Sequence, residues 1–239
     1  MSVAVTPHSP ASVVPTPQRV IAWALVVSWV GLVIATLTLG HWATTFADLE
    51  ADVAAGEATD VRVAGGLGAD SVGYSVVQVQ WRRGMLGYST EVLEVRPHRE
   101  AAAGASSDVT KVLVDQSVAE RLAVIDPDLS VANSGWRSSG PVWDGWTLPT
   151  WVALGALGAV VATVALLTYA PAPRHATRWG WFWLTTIAAP LGALAYLLMS
   201  GVTSRAYEPG AGRRLTGGRA LLLALIVELA AGVVLGAVL

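Results

Sequence analysis

The chain has 239 residues, 54% hydrophobic and 13% charged, with a formal net charge of −2. Soluble domains carry roughly 25% charged residues, so an ordinary globular composition is excluded. Cysteine is absent, which removes disulfides, thiolate metal sites and cysteine nucleophiles from consideration.

Residues 1–19 hold Pro7, Pro10, Pro15 and Pro17 with a single charge, Arg19, and read as a solvated, disordered tail. The apolar run Val20–Gly40 follows. At ~1.5 Å rise per residue and a ~30 Å hydrocarbon core, about 20 residues cross a bilayer. This run has 21, longer than the apolar core of a cleaved signal peptide, and is read as an uncleaved first membrane helix.

Residues 41–147 form a soluble α+β domain in this reading. Phe46, Leu49 and Val53 repeat at helical spacing, and Gly56 can end that helix. A strand is expected over Asp60–Ala64, then a turn at Gly65-Gly66. Val77, Val79 and Trp81 alternate with Gln78, Gln80 and Arg82, and a turn at Arg83–Gly87 leads into Tyr88–Arg96, giving a hairpin. Residues 100–108 read as a loop and Val109–Val114 as a strand. Ser117 and Glu120 form a capping box for a helix reaching Ile125, closed by Pro127, with a last strand near Leu129–Ala132.

Three further apolar runs follow: Leu148–Ala170, Trp179–Val202 and Ala220–Leu239. The fold class expected is therefore a membrane protein with four transmembrane α-helices (20–40, 148–170, 179–202 and 220–239) and a small α+β domain inserted between helices 1 and 2. The sole lysine, Lys111, against 14 arginines suggests a high-GC bacterial genome, and hence a multi-pass protein of the bacterial plasma membrane.

Charge orients the spans. Between Trp42 and Trp146, 15 acidic residues meet 8 basic ones, whereas the remainder carries 7 arginines and 2 glutamates. Nucleic-acid binding needs a basic face, so no nucleic-acid partner is expected for the acidic domain. Arg19 before the first span and Arg174 and Arg178 after the second place the N-terminus in the cytoplasm and the domain outside. Arg205, Arg213, Arg214 and Arg219 conflict with this, because four full crossings put them outside. A re-entrant course of Trp179–Val202 around Pro190 and Gly192 is the alternative to four crossings, and an inverted orientation is the third reading.

Two stretches resemble known families. The segments "FADLEADVAAG", "DVRVAG" and "SVAERLAVIDPDLSV" resemble, in order, the small extracytoplasmic domain of membrane-anchored AAA proteases. That resemblance implies a domain placed between the first two membrane helices. It implies no protease activity, since a Walker motif and H-E-x-x-H are missing. "RWGWFWLTTIAAPLGALAYLLMSG" resembles the second half of the two-helix N-terminal membrane segment of phospholipase-D-type enzymes such as bacterial cardiolipin synthases. Only an anchoring hairpin is implied, because the H-x-K-x4-D motif of those enzymes is lacking.

Glu228 is the leading candidate site residue. A charge in mid-span costs ~2.5 kcal/mol or more, so it should face protein or water. Ala224, Glu228, Gly232 and Gly236 share one helical stripe, and Gly232-x-x-x-Gly236 is a helix-contact pattern. Glu228 fits a proton or ion relay, or more plainly a protonated side chain bonded to a neighbouring helix. Ser28, Gly31, Ala35 and Thr38 in the first span, and Gly155, Gly158 and Ala162 in the second, read as packing seams. Trp23, Trp42, Trp146, Trp151, Trp179, Trp181 and Trp183 read as an interfacial belt. His8, His41, His98 and His175 lie in separate segments, so no metal site and no cofactor are expected. Asp126 and Asp128 read as turn residues, and "AGGLGAD" as a hairpin connection rather than a phosphate loop. The function expected is non-enzymatic: the outer domain binds another membrane or envelope protein, the lipid bilayer is the other partner, and oligomerisation is compatible with the chain. A small transporter or channel component using Glu228 is the alternative.

Overall fold

The computed structural model describes residues 12–68, 71–96, 111–135, 140–143, 145–207 and 214–238. Its elements in chain order are β1 (Ser12–Val13), α1 (Thr16–Leu39), β2 (His41–Ala43), α2 (Phe46–Ala54), β3 (Ala58–Ala64), β4 (Gly73–Arg83) and β5 (Leu86–Arg96). Next come β6 (Lys111–Val114), α3 (Val118–Ile125), β7 (Val131–Asn133), β8 (Val142–Trp143) and β9 (Trp146–Thr147). The chain ends with α4 (Thr150–Tyr169), α5 (Arg178–Ile187), α6 (Leu191–Met199), β10 (Ala206–Tyr207) and α7 (Gly217–Val238). It divides into two compact units, Met1–Val33 with Leu154–Leu239, and Ile34–Ala153.

The second unit is a mixed sheet in the order β7-β3-β4-β5-β2-β9-β8, with β6 joined to β5. Alternation in β4 sends Val77, Val79 and Trp81 to one side, and cross-strand pairing aligns them with Val92, Thr90 and Tyr88 of β5. These six are buried, as are Phe46, Leu49 and Val53 of α2 and Val118 and Leu122 of α3. The period-2 face of the hairpin thus meets the apolar stripes of two short helices. Both helices open on capping boxes, Thr45 with Asp48 and Ser117 with Glu120. The first was not anticipated from the sequence; the second was. Entry and exit strands β2 and β9 pair with each other, so the unit closes at its own neck, where Trp42 and Trp146 meet edge to face at 5.5 Å.

In the other unit, α1 and α4 pack antiparallel. Gln18 near the start of α1 donates to the carbonyl of Tyr169 at the end of α4. Between these helices the indole of Trp29 donates to the Thr163 hydroxyl at 3.1 Å, both side chains being buried. Ala22, Leu25 and Trp29 of α1, Ala159, Leu166 and Leu167 of α4, and Trp181, Ala193, Tyr196 and Leu197 of the last third form one core. The expected small-residue seams are met in part. A Cβ on Gly155 would approach Leu32 of α1 to 3.2 Å and Ala162 packs against this core, whereas Ser28, Gly31 and Gly158 face outward.

Among the described residues three helices are long and apolar enough to cross a membrane: α1, α4 and α7. Their outer sides expose Val27, Ile34, Leu157, Val161, Ile226 and Leu229, an apolar extent that soluble proteins rarely present to water. The fourth expected crossing is corrected. Trp179–Val202 is not one helix but two, of 10 and 9 residues, interrupted at 188–190. Pro190 lacks an N–H and disfavours the helical conformation in the residue before it, which breaks the run. The expected tail also shortens: α1 begins at Thr16, before Val20, and β1 precedes it, while residues 1–11 lie outside the described ones.

Candidate functional site

The two short helices fold back on each other. Trp181 of α5 and Tyr196 of α6 touch edge to face with ring centroids 5.6 Å apart. Fifteen residues along a straight helix would separate them by about 22 Å. Gly192 makes the return feasible, since a Cβ there would come within 1.8 Å of the Leu184 carbonyl oxygen. The open ends of the hairpin meet as well, through the Arg174 amide on the Ser200 carbonyl at 3.0 Å. Each arm reaches about 15 Å, half of a ~30 Å hydrocarbon core.

Other segments assemble at the hairpin's open end. The amide of Leu215 donates to His175, and that of Thr177 to Leu215. β1 pairs with β10, and the Val14 amide donates to Arg205. The Arg178 guanidinium donates to the carbonyl of Ala170, just past α4. Arg19, Arg174, Arg178, Arg205, Arg214 and Arg219 therefore lie in segments gathered at one end of the helical unit. Among the described residues of that unit the only acid is Glu228.

Beside this rim an open-sided cleft of about 270 Å³ is lined by Val164, Leu167 and Thr168 of α4 and Arg178, Trp179 and Phe182 of α5. Its lining surface is almost wholly apolar: the Thr168 hydroxyl turns back to the Ala165 carbonyl and the Arg178 guanidinium to that of Ala170, while Val164 and Phe182 lie one helical turn from the rim. Trp179 is 67% exposed, whereas Trp181 is 4% exposed and donates its indole N–H to the Arg174 carbonyl. Of the tryptophans expected in a belt, Trp181 instead belongs to the hairpin core.

The sequence-derived site residues fall on α7. Ala220 and Ala224 are buried, and a Cβ on Gly180 of α5 would approach the Ala220 methyl to 3.2 Å. Glu228 continues that stripe by one turn and is half-buried. Gly232 is exposed, and among the described residues nothing lies within 4 Å of where its Cβ would be. Gly236 lies in the terminal turns of α7, where side-chain surroundings are outside the described residues.

In the sheet unit the charged side chains hold the fold. Asp52 is buried and accepts from the Trp81 indole at 2.9 Å and from Arg83 at 3.2 Å; Arg83 also donates to the Tyr88 hydroxyl. Glu94 is buried and accepts from the amides of Val118, at the start of α3, and Leu67. Leu67, in the connection after β3, is thereby anchored to β5; Ala69 and Asp70 of "AGGLGAD" lie outside the described residues. Glu50 accepts from Lys111 and Arg121 at 2.7 and 2.6 Å. Partial burial opposes its ionisation, but those two cations outweigh it and hold the carboxyl below the usual glutamate range. Asp48 is likewise held low, chiefly by the hydroxyls of Thr44 and Thr45. Burial, with Arg82 and Arg62 nearby, depresses His41. The Asp128 amide donates to the Asp126 carboxylate, closing the turn around Pro127.

Among the described residues no group of three or more His, Asp or Glu side chains is placed to share a metal ion. His8 and His98 lie outside them. No family model, curated protein or solved structure matches the chain.

Proposed function

We propose that the chain is an integral protein of the bacterial plasma membrane that crosses three times, dips the α5–α6 hairpin into one leaflet, and displays its sheet unit outside. The role of that unit is to bind another membrane or envelope protein. The observation that supports this best is the gathering of arginines at one end of the helical unit. With three crossings and a re-entrant hairpin, Arg19, Arg174, Arg178, Arg205, Arg214 and Arg219 all fall on one side, as cytoplasmic basic loops require. Four crossings would split them. In this reading the acidic sheet unit, carried on the chain between α1 and α4, is the extracytoplasmic part.

A surface for the partner is available on the second face of the sheet. Strand β6, paired on one side only among the described residues, carries Val112 and Val114, 49% and 60% exposed, beside the buried Leu93 and Val95 of β5. Exposed apolar side chains on an edge strand are a docking feature.

Two measurements test the reading in cells. A cysteine at Ser71 is expected to react with a membrane-impermeant maleimide in intact cells, and one at Ser204 only after permeabilisation; the reverse pattern overturns the orientation. A photo-crosslinking residue at Val114 is expected to give a discrete protein adduct that the same residue at Ala54 does not. Equal or absent adducts at the two positions reject the binding role of that face.

A further inference from the structure

Strand pairing sets one level row across the sheet unit. Val142 lies opposite Thr147, Thr147 opposite His41, His41 beside Gly87, and Gly87 opposite Arg82. The row stands where the unit meets its two long helices: His41 follows the end of α1 by two residues, and Thr147 precedes α4 by three. A Cβ on Gly87 would come within 2.7 Å of the Gly40 carbonyl oxygen, and the Arg82 guanidinium donates to the Thr38 carbonyl in the last turn of α1 at 2.7 Å. β2 runs away from α1, and β5 is parallel to it. The turn that precedes β5 therefore projects from the row back toward the helix end. Met85 occupies that turn, two residues before Gly87, a reach of about 7 Å along a strand. It is 75% exposed, the most exposed large apolar side chain of the sheet unit among the described residues. Val142 at the end of the row, Trp151 in the first turn of α4 and Leu39 at the end of α1 are exposed as well. The cations of the turn are engaged elsewhere, Arg82 on Thr38 and Arg83 on Asp52 and Tyr88, so the projecting surface is apolar. The exposed Glu57, just before the Ala58 that pairs with Arg83, keeps the β3 flank shallow.

We propose that this end of the sheet unit rests in the bilayer surface, the β4–β5 turn carrying Met85 to the boundary between headgroups and acyl chains of the leaflet that α1 and α4 enter there. Apolar side chains at an interface bury about 5–10 Å into that boundary, which the turn can reach. The contact rests on the membrane reading above and goes beyond it, because a unit tethered by two helices needs no lipid contact of its own. It fixes the sheet against the surface with its strands rising from the bilayer. Leu93 and Val95, which pair with Val112 and Val114, are six and eight residues beyond Gly87 on β5. The edge offered to a protein partner thus stands about 20–26 Å farther along the strand than the row.

The test places single cysteines in the full chain, which has none of its own, and labels each with a polarity-sensitive fluorophore. The labelled chains are reconstituted in dioleoyl-phosphatidylcholine vesicles that carry a nitroxide either high or deep on the acyl chain. Met85→Cys is expected to give blue-shifted emission, most of which the high nitroxide quenches. Tyr74→Cys, eight residues from Arg82 along β4 and also exposed, should emit as in water and stay unquenched. Added dioleoyl-phosphatidylglycerol should change neither result. Leu157→Cys, on the outer side of α4, should be quenched by the deep nitroxide and reports the membrane reading separately. Quenching at Leu157 with none at Met85, or equal quenching at Met85 and Tyr74, would overturn this proposal alone. Quenching at neither Leu157 nor Met85 would remove the membrane reading and the contact with it. A blue shift at Met85 without quenching would put a protein neighbour on the turn and overturn the proposal, as would quenching that requires phosphatidylglycerol.

Discussion

Trp181 and Tyr196 stand 5.6 Å apart across the fold-back of the α5–α6 hairpin, although fifteen residues separate them in sequence. That contact changes a charge conflict into agreement. Once the run from 178 to 199 starts and ends at the same place, the arginines that follow it join those that precede it.

Gly192 is the tightest point of the return. Gly192→Ala is expected to open the hairpin, since the added methyl meets the backbone of Leu184 at 1.8 Å and backbone cannot rotate aside. Gly232→Ala, at a position with open space, should be neutral or slightly stabilising. Thermal unfolding of both variants in detergent checks the contrast, and similar melting temperatures would contradict it.

Trp29 and Thr163 hold α1 to α4 through one buried hydrogen bond. Interhelical bonds of this kind contribute ~0.6 kcal/mol on average and up to ~1.7 in membranes. A double-mutant cycle of Trp29→Phe and Thr163→Val, read by unfolding in mixed micelles, should give a coupling in that range. A coupling of zero would remove the bond from the account.

Asp52→Ala leaves the Trp81 indole N–H and the Arg83 guanidinium without their shared acceptor in the sheet unit. Loss of one member of a largely buried pair costs about 3 kcal/mol. Hydrogen exchange in β4 of the full chain should accelerate strongly, and Asp52→Asn, which keeps an acceptor, should lie between. Wild-type exchange in Asp52→Ala would show that the pair contributes nothing.

Glu50 sets an acid sensitivity. Its carboxyl is held low by Lys111 and Arg121 against the opposing effect of partial burial. A carboxyl depressed on folding contributes stability that is complete above its unfolded value, about 4.3, and that fades as pH falls through the lower folded value. The sheet unit should therefore lose stability below about pH 4.3, by at most ~1 kcal/mol from this group, because its partners are partly solvated. Glu50→Gln should flatten the pH dependence in that window while leaving the Asp48 contribution. An unchanged slope would assign the effect to other carboxylates.

Glu228→Gln separates the two functional classes. A binding role for the sheet unit leaves the Val114 crosslink intact in this variant. Loss of a proton- or ion-linked flux in vesicles would instead favour transport.

The sequence was most legible where one residue pattern determines one element. The 77–81 alternation, the turn before Tyr88 and the Ser117–Glu120 box located β4, β5 and α3. Strands β2, β8 and β9 have two or three residues, too few for alternation to show, and exist because each finds a partner strand. Hydropathy summed over Trp179–Val202 records apolar length but not direction. Only Pro190 and Gly192 hinted at the return, and both residues are also tolerated in straight membrane helices. The small-residue stripes were legible only in part: Gly155 and Ala162 pack, but close approach is merely allowed at Gly31 and Gly158, and nothing requires it. The arginines were legible as composition, and their gathering at one end of the helical unit became visible only with the return of the hairpin.

The pairing of β2 with β9 makes the sheet unit a closed insertion. Because its first and last strands leave side by side, it has the form of a cassette that a turn between two antiparallel helices could accept. The sheet unit is therefore free to diversify, or be exchanged for another, while the helical unit stays as it is.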